Sequence, residues 1–137
     1  MNVLYPIFVL ALLTLAVAMR LGFLRWRAVS RREVKVEYYQ AYQGEGEPPA
    51  VRIVSRHLIN LMEMPVLFYI ACLIAYVTGL TGGVILGLAW TYAALRIVHT
   101  VIHLGSNVVL WRFRVFAFSV MVLTLLWVVL LAGLVTR

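Results

Sequence analysis

The chain has very little of what a soluble or cross-linked fold requires. It contains a single cysteine, Cys72, so no disulfide can form within the chain. Cys72 lies in an apolar stretch and is expected to be an inert, small hydrophobic residue. Only 12% of the 137 residues are charged and 64% are hydrophobic, against about 25% and about 45–50% in soluble domains. This composition, with a mean hydropathy of +0.99, excludes an ordinary soluble domain.

Acidic residues are also scarce, with 5 Asp+Glu against 12 Lys+Arg and a net charge of +7. In a soluble protein this balance would indicate a nucleic-acid partner. Here the basic residues fall between long apolar runs, which is typical of membrane topology and of contact with anionic lipid headgroups. We therefore expect a lipid bilayer, and no nucleic acid, as the partner of this surface.

Four apolar runs are each long enough for a transmembrane helix, which needs roughly 20 residues. They cover residues 2–24, 53–77, 82–104 and 115–135, and residues 25–52 form the one long loop. The sequence predicts an all-α membrane protein whose single domain, residues 1–137, is a four-transmembrane-helix bundle. Residues 16–18 resemble a signal-peptide cleavage site, but no positive charge precedes the first run and Arg20 follows it, so we expect an uncleaved helix.

The positive charges predict the orientation of the chain. The first loop carries Arg25, Arg27, Arg31, Arg32, Lys35 and Arg52. The connection at residues 78–81 carries none, and Arg112 lies in the third connection. Because Lys and Arg concentrate on the cytoplasmic side, we expect the first and third loops in the cytoplasm and both termini outside.

Two polar stripes interrupt the second and third spans. They consist of Arg56, Asn60 and Glu63 in the second span and of Arg96, His99 and His103 in the third. The spacings place each set on one face of its helix. Ionisable groups at the bilayer centre cost about 2.5–3.5 kcal/mol on insertion scales. Such residues therefore usually face the interior of the bundle and have a functional role.

The two stripes mirror each other about the short turn that joins their spans. This register predicts that Glu63 lies level with Arg96, Asn60 with His99, and Arg56 with His103. A carboxylate facing Arg96 could stay charged at that depth. The stripes would suit a small, anionic ligand from the cytoplasm, or would serve only as a polar ladder between helices.

His99 and His103 also have the i, i+4 spacing of helical zinc ligands. The intervening glutamate of a zinc-protease motif is missing, and the nearest third ligand, Glu63, is already assigned to Arg96. The sequence therefore predicts no metal site.

The motif Arg56-x-x-x-Asn60-x-x-Glu63-x-Pro65, followed by Arg96-x-x-His99-x-x-x-His103, resembles the MAPEG superfamily, the membrane-associated proteins of eicosanoid and glutathione metabolism. The likeness is strongest to the microsomal glutathione transferase and prostaglandin E synthase branch. It implies a homotrimer in a bacterial inner membrane, with glutathione as co-substrate between adjacent subunits. By carry-over, Arg56 supports the glutathione-binding site structurally, Asn60 and Glu63 hold the polar groups of the tripeptide, and Arg96 and His99 complete its cradle. His103 is a further candidate, which either binds a carboxylate of the ligand or pairs with the neighbours of Arg56 at the helix interface. One of Arg20, Arg25 and Arg27 of the neighbouring subunit is expected to reach the tripeptide.

By the same resemblance, Arg112 is the catalytic residue that stabilises the glutathione thiolate, and the second substrate is a lipophilic electrophile in the bilayer. Two positions depart from the branch: His103 replaces a tyrosine, and Phe113 stands where prostaglandin synthesis uses a serine. Prostaglandin and leukotriene synthesis are therefore not expected. A glutathione-dependent transferase or peroxidase is the leading hypothesis, and a non-catalytic protein that binds a lipid or another small ligand is the alternative.

Overall fold

A computed structural model describes residues 2–42 and 46–136 of the protein, and these residues form five helices. The helices are α1 (Leu4–Ser30), α2 (Tyr38–Ala41), α3 (Pro49–Thr78), α4 (Gly83–Leu104) and α5 (Val109–Val135). All but α2 are long and apolar enough to cross a membrane. The predicted all-α membrane protein with a four-helix bundle is confirmed.

The helices extend beyond the predicted spans, mostly toward the long loop. α1 continues to Ser30, and α3 begins at Pro49, where the missing N–H of proline is tolerated in the first turn. The loop is therefore shorter than residues 25–52, and its residues 43–45 lie outside the described part of the chain. The length of an apolar run reports only the part of a helix that lies in the hydrocarbon layer. Arginine is a good helix former, so the helix continues into the arginine-rich segment beyond that layer.

Helix α5 likewise begins at Val109, six residues before the predicted span. Arg112, expected in a connection, lies instead on the first turns of this helix. No proline or glycine interrupts residues 109–114, so nothing in the local sequence delays the start of the helix.

The helices pack in two main pairs, α1 against α3 and α4 against α5. One apolar core surrounds the stacked rings of Phe68 and Tyr92, whose centroids lie 4.7 Å apart. Cys72 is fully buried in the same core. A second apolar cluster joins α1 to the first half of α3 through Leu21, Ala28 and Leu61.

Arg25 of α1 contacts the segment between α1 and α3 and holds it against the helix. Its Nε donates to Glu47 Oε1 at 2.7 Å, and its guanidinium lies 5.3 Å from the ring centroid of Tyr39. Burial, followed by the charge of Glu47, raises the pKa of Tyr39 above its ordinary value. Of the three arginines that the resemblance offered to a neighbouring subunit, Arg25 is therefore engaged within its own chain, whereas Arg20 and Arg27 are exposed.

Candidate functional site

The polar stripe of α3 faces α4 only in part, whereas the mirrored register predicted that the whole stripe would. Arg56 and Glu63 are exposed and Asn60 is half-buried, whereas His57 and Leu61 are buried. Successive helical residues are rotated by about 100°, so the stripe lies well away from the buried face. The helix turns its continuous apolar face inward because that face buries the most apolar surface.

The predicted pairing of Glu63 with Arg96 is therefore wrong within one chain. Arg96 is fully buried, and its Nη2 donates to both Asn60 Oδ1, at 2.5 Å, and the Asn60 carbonyl oxygen, at 3.1 Å. Its carbon Cζ also lies 5.8 Å from the ring centroid of Phe116. Within residues 2–42 and 46–136, Nε and Nη1 of Arg96 have no hydrogen-bond partner. A buried cation with spare donors is a place where an anion or water can bind.

His57, which the polar stripes did not include, is buried at the centre of the site. His57 Nδ1 lies 3.1 Å from His103 Nδ1, and His57 Nε2 lies 2.9 Å from Thr100 Oγ1. The side chain that contacts His103 is thus that of His57 and not that of Arg56, although Arg56 and His103, which the register placed level with each other, line the same cavity. The burial of His57 could have been predicted from the sequence, because His57, Leu61 and Pro65 follow the i, i+4, i+8 spacing of one helix face.

The hydrogen bonds of this group form a chain with one possible direction. Arginine can only donate, so Arg112 Nη1, 3.4 Å from His103 Nε2, makes that nitrogen an acceptor. His103 then carries its proton on Nδ1 and donates to His57 Nδ1, and His57 Nε2 donates to Thr100. The Thr100 hydroxyl donates to the Arg96 carbonyl oxygen at 2.8 Å. Both histidines are thereby held as single neutral tautomers.

Arg112 is positioned by the turn between α4 and α5. Its Nη1 donates to Asn107 Oδ1 at 2.8 Å, a shorter contact than the one with His103. Asn107 has a φ of 50°, a left-handed conformation that asparagine tolerates better than most residues. The turn begins at Gly105, where a Cβ would lie only 2.7 Å from the Val101 carbonyl oxygen. Sequence reasoning did not single out Asn107, because its role depends on this backbone conformation.

Most of the predicted site residues share one cavity of about 300 Å³. It is lined by Arg56, Asn60, His99, His103, Val109, Arg112, Phe113 and Phe116. Asn60 and His99, which the register placed level with each other, both contribute to its wall. Arg96 lies behind Asn60, and Glu63 is not part of the lining. Among the residues that the structure describes, two arginines and no Asp or Glu line the cavity, so it favours an anion, and its phenylalanines provide an apolar side.

The family of the chain follows from comparison with known proteins. The sequence model of the MAPEG family matches residues 3–132, which include every residue of the cavity and all four membrane helices except the last three residues of α5. No curated protein and no solved structure is significantly similar to the chain. The chain belongs to the MAPEG family, and it is a membrane protein of the superfamily that serves glutathione and eicosanoid metabolism.

Proposed function

We propose that this protein is a glutathione-dependent transferase or peroxidase that acts on lipophilic electrophiles dissolved in the bilayer. The observation that carries the proposal is the position of Arg112 on the wall of a cationic cavity with an apolar side. A thiol co-substrate held there would have its sulfur near a guanidinium. A neighbouring cation favours the thiolate, which is the reactive nucleophile.

The charges of the cavity support an anionic tripeptide as its ligand. Glutathione has two carboxylates and one amine, and Arg56 and Arg112 offer the complementary charge. Asn60 and His99 add polar groups to the same wall. The volume of about 300 Å³ is at the lower end for ligand sites, which supports the proposal that another subunit contributes to the binding surface.

A second subunit would complete that surface, and the exposed Glu63 supports this arrangement. Glu63 lies near the middle of the 30-residue helix α3, with its side chain outside the subunit core. A carboxylate facing lipid at that depth is costly. We propose that it faces another copy of the chain in a homotrimer, with Arg20 or Arg27 of the neighbour approaching the ligand. The protein would lie in a bacterial inner membrane, with its basic loops in the cytoplasm, where glutathione is present.

The apolar side of the cavity gives the second substrate a route from the bilayer. Phe113 is exposed and Phe116 half-buried, and both belong to a helix that spans the membrane. An electrophile dissolved among lipid chains could thus reach the thiolate without crossing water. Holding both reactants at this boundary would contribute through proximity as well as through thiolate formation.

The test is conjugation of glutathione to a chlorinated aromatic acceptor by the purified protein in lipid nanodiscs. We expect Arg112→Ala to lower the rate by about 10²-fold, as expected for loss of one charge-stabilising donor. Arg114→Ala is the matched control, because Arg114 is exposed two residues away and stacks on Trp111. No conjugate above background in the wild type, or equal losses in both variants, would remove the enzymatic proposal.

The alternative function, ligand binding without catalysis, is favoured by one feature of Arg112. Its Nη1 is already shared by Asn107 and His103 within the chain. In a non-catalytic protein, glutathione or a lipid would bind saturably without turnover. Arg112→Ala would then leave the binding isotherm nearly unchanged, whereas Glu63→Gln would weaken it.

A further inference from the structure

We propose that His57, His99 and His103 bind one divalent transition-metal ion of the zinc type. The chain has three histidines, and the fold brings all three together although they come from two different helices. One ring nitrogen from each lies within 4.8 Å of the other two, and all three residues are buried. This site shares His99 and His103 with the wall of the proposed glutathione cavity, but it does not depend on the thiolate role of Arg112.

The ring positions agree with coordination of a single ion. Two nitrogens bound to a tetrahedral zinc at about 2.0–2.1 Å lie about 3.4 Å apart. The Nδ1 atoms of His57 and His103 are 3.1 Å apart, and their ring centroids are 4.7 Å apart. The centroid of His99 lies 5.6 Å from each of the other two. Small rotations of the side chains would bring the three nitrogens to one centre.

Two of the histidines are already prepared as ligands. His57 donates its Nε2 proton to Thr100, which leaves the lone pair of Nδ1 directed at the cluster. Metal-bound histidines commonly use the other ring nitrogen in this way. His99 is 3% exposed, and in the described ranges 2–42 and 46–136 its Nδ1 has no hydrogen-bond partner. A buried ring nitrogen without a partner is available to an ion.

The third ligand requires one proton to move. In the metal-free chain, the proton on His103 Nδ1 lies between His103 and His57. A metal ion takes the place of that proton, which moves to Nε2 of the same ring. Arg112 can then no longer donate to His103 and keeps Asn107 as its partner. Three metal–nitrogen bonds form as the ion gives up bound water, and the hydrogen bonds of His103 to His57 and to Arg112 are lost. No oxidant or reductant is needed.

The charges around the three histidines favour an anionic fourth ligand for the metal ion. Arg96 and Arg112 lie close by, and Glu63, which the sequence offered as the third ligand, is exposed. Two cations disfavour a bare dication but tolerate a metal that carries an anion. His99 and His103 line the cavity, so a fourth position is open to a water-derived hydroxide. Three protein ligands with one open position are typical of reactive rather than structural zinc sites.

The experiment uses the full chain in nanodiscs, purified without a histidine tag and stripped with a chelator. It is then titrated with Co²⁺ or Zn²⁺ in the absence of glutathione. We expect about one ion per chain and the intense visible absorption of tetrahedral Co²⁺. His57→Asn should weaken binding by tenfold or more, and Arg114→Ala, at an exposed residue outside the cluster, should leave it unchanged.

Two results would overturn the site. One is a wild type that takes up no stoichiometric Co²⁺, a readout that does not depend on the folding of any variant. The other is equal metal binding by the wild type and a His57→Asn protein that elutes as the same oligomer. Because binding is measured without glutathione, and conjugation can be measured after chelation, failure of this site is distinguishable from failure of the proposed function.

Discussion

His57 of α3 lies directly against His103 of α4, with 3.1 Å between their Nδ1 atoms. This contact joins the two helices at the level of the cavity and connects Arg112 to the backbone of Arg96 through a single line of hydrogen bonds. Buried polar groups in such a line depend on one another, because each fixes the donor of the next. The first prediction tests that dependence.

Replacing His57 with leucine should destabilise the protein by about 1–3 kcal/mol, because the Nδ1 proton of His103 loses its acceptor. Thr100→Val removes the partner at the other side of His57. If the line acts as a unit, the double variant should differ from the sum of the single variants by about 0.5–3 kcal/mol. Denaturant unfolding in detergent measures the three values, and strict additivity would contradict the network.

Asn60→Ala should also destabilise the bundle, because it removes the side-chain acceptor of the buried Arg96. Hydrogen bonds to charged groups contribute about 1.5–3 kcal/mol. Asn60→Asp is the conservative variant and should retain most of the stability. In detergent-dispersed single chains, Glu63→Gln should have little effect. A larger loss for Glu63→Gln than for Asn60→Ala would restore the sequence-derived pairing of Glu63 with Arg96.

Asn107 should act as a positioning residue for Arg112. Asn107→Gly keeps the left-handed backbone but loses the amide oxygen that receives Arg112 Nη1. We expect conjugation to fall by about tenfold through kcat, the amount that corresponds to about 1.4 kcal/mol. Asn107→Asp keeps an acceptor and should preserve more of the rate. An unchanged rate in the glycine variant would show that Asn107 serves only the turn.

Tyr39, outside the membrane helices, should titrate above the ordinary tyrosine range. Burial is the largest cause, Glu47 raises its pKa further, and the positive charge of Arg25 lowers it. Removing the charge of Arg25 in Arg25→Ala should therefore raise the pKa of Tyr39 further, whereas Glu47→Gln should lower it. Arg27→Ala is the control, since Arg27 is exposed on the same helix. NMR of labelled tyrosine measures the pKa of Tyr39 in each variant. Changes in the opposite directions would contradict the contacts of Tyr39 with Arg25 and Glu47.

Hydropathy was sufficient to predict four membrane helices, because each span must satisfy its own backbone hydrogen bonds in lipid and therefore be helical. The ends of the helices were less accessible. Ser30, Pro49 and Val109 lie beyond the apolar runs, where capping and propensity decide the boundary rather than lipid thickness. Five residues that the sequence proposed for the site, Arg56, Asn60, His99, His103 and Arg112, line one cavity, and their roles there stay predictions.

What the sequence by itself determined is the number of membrane helices, their apolar character and the two stripes of polar residues. Only the tertiary structure decided how far α3 is rotated about its axis. Local spacing says which residues share a face, but the face that turns inward depends on how the surfaces of all four helices fit together. That rotation left Glu63 exposed, placed Asn60 against Arg96 and brought His57 to the other two histidines.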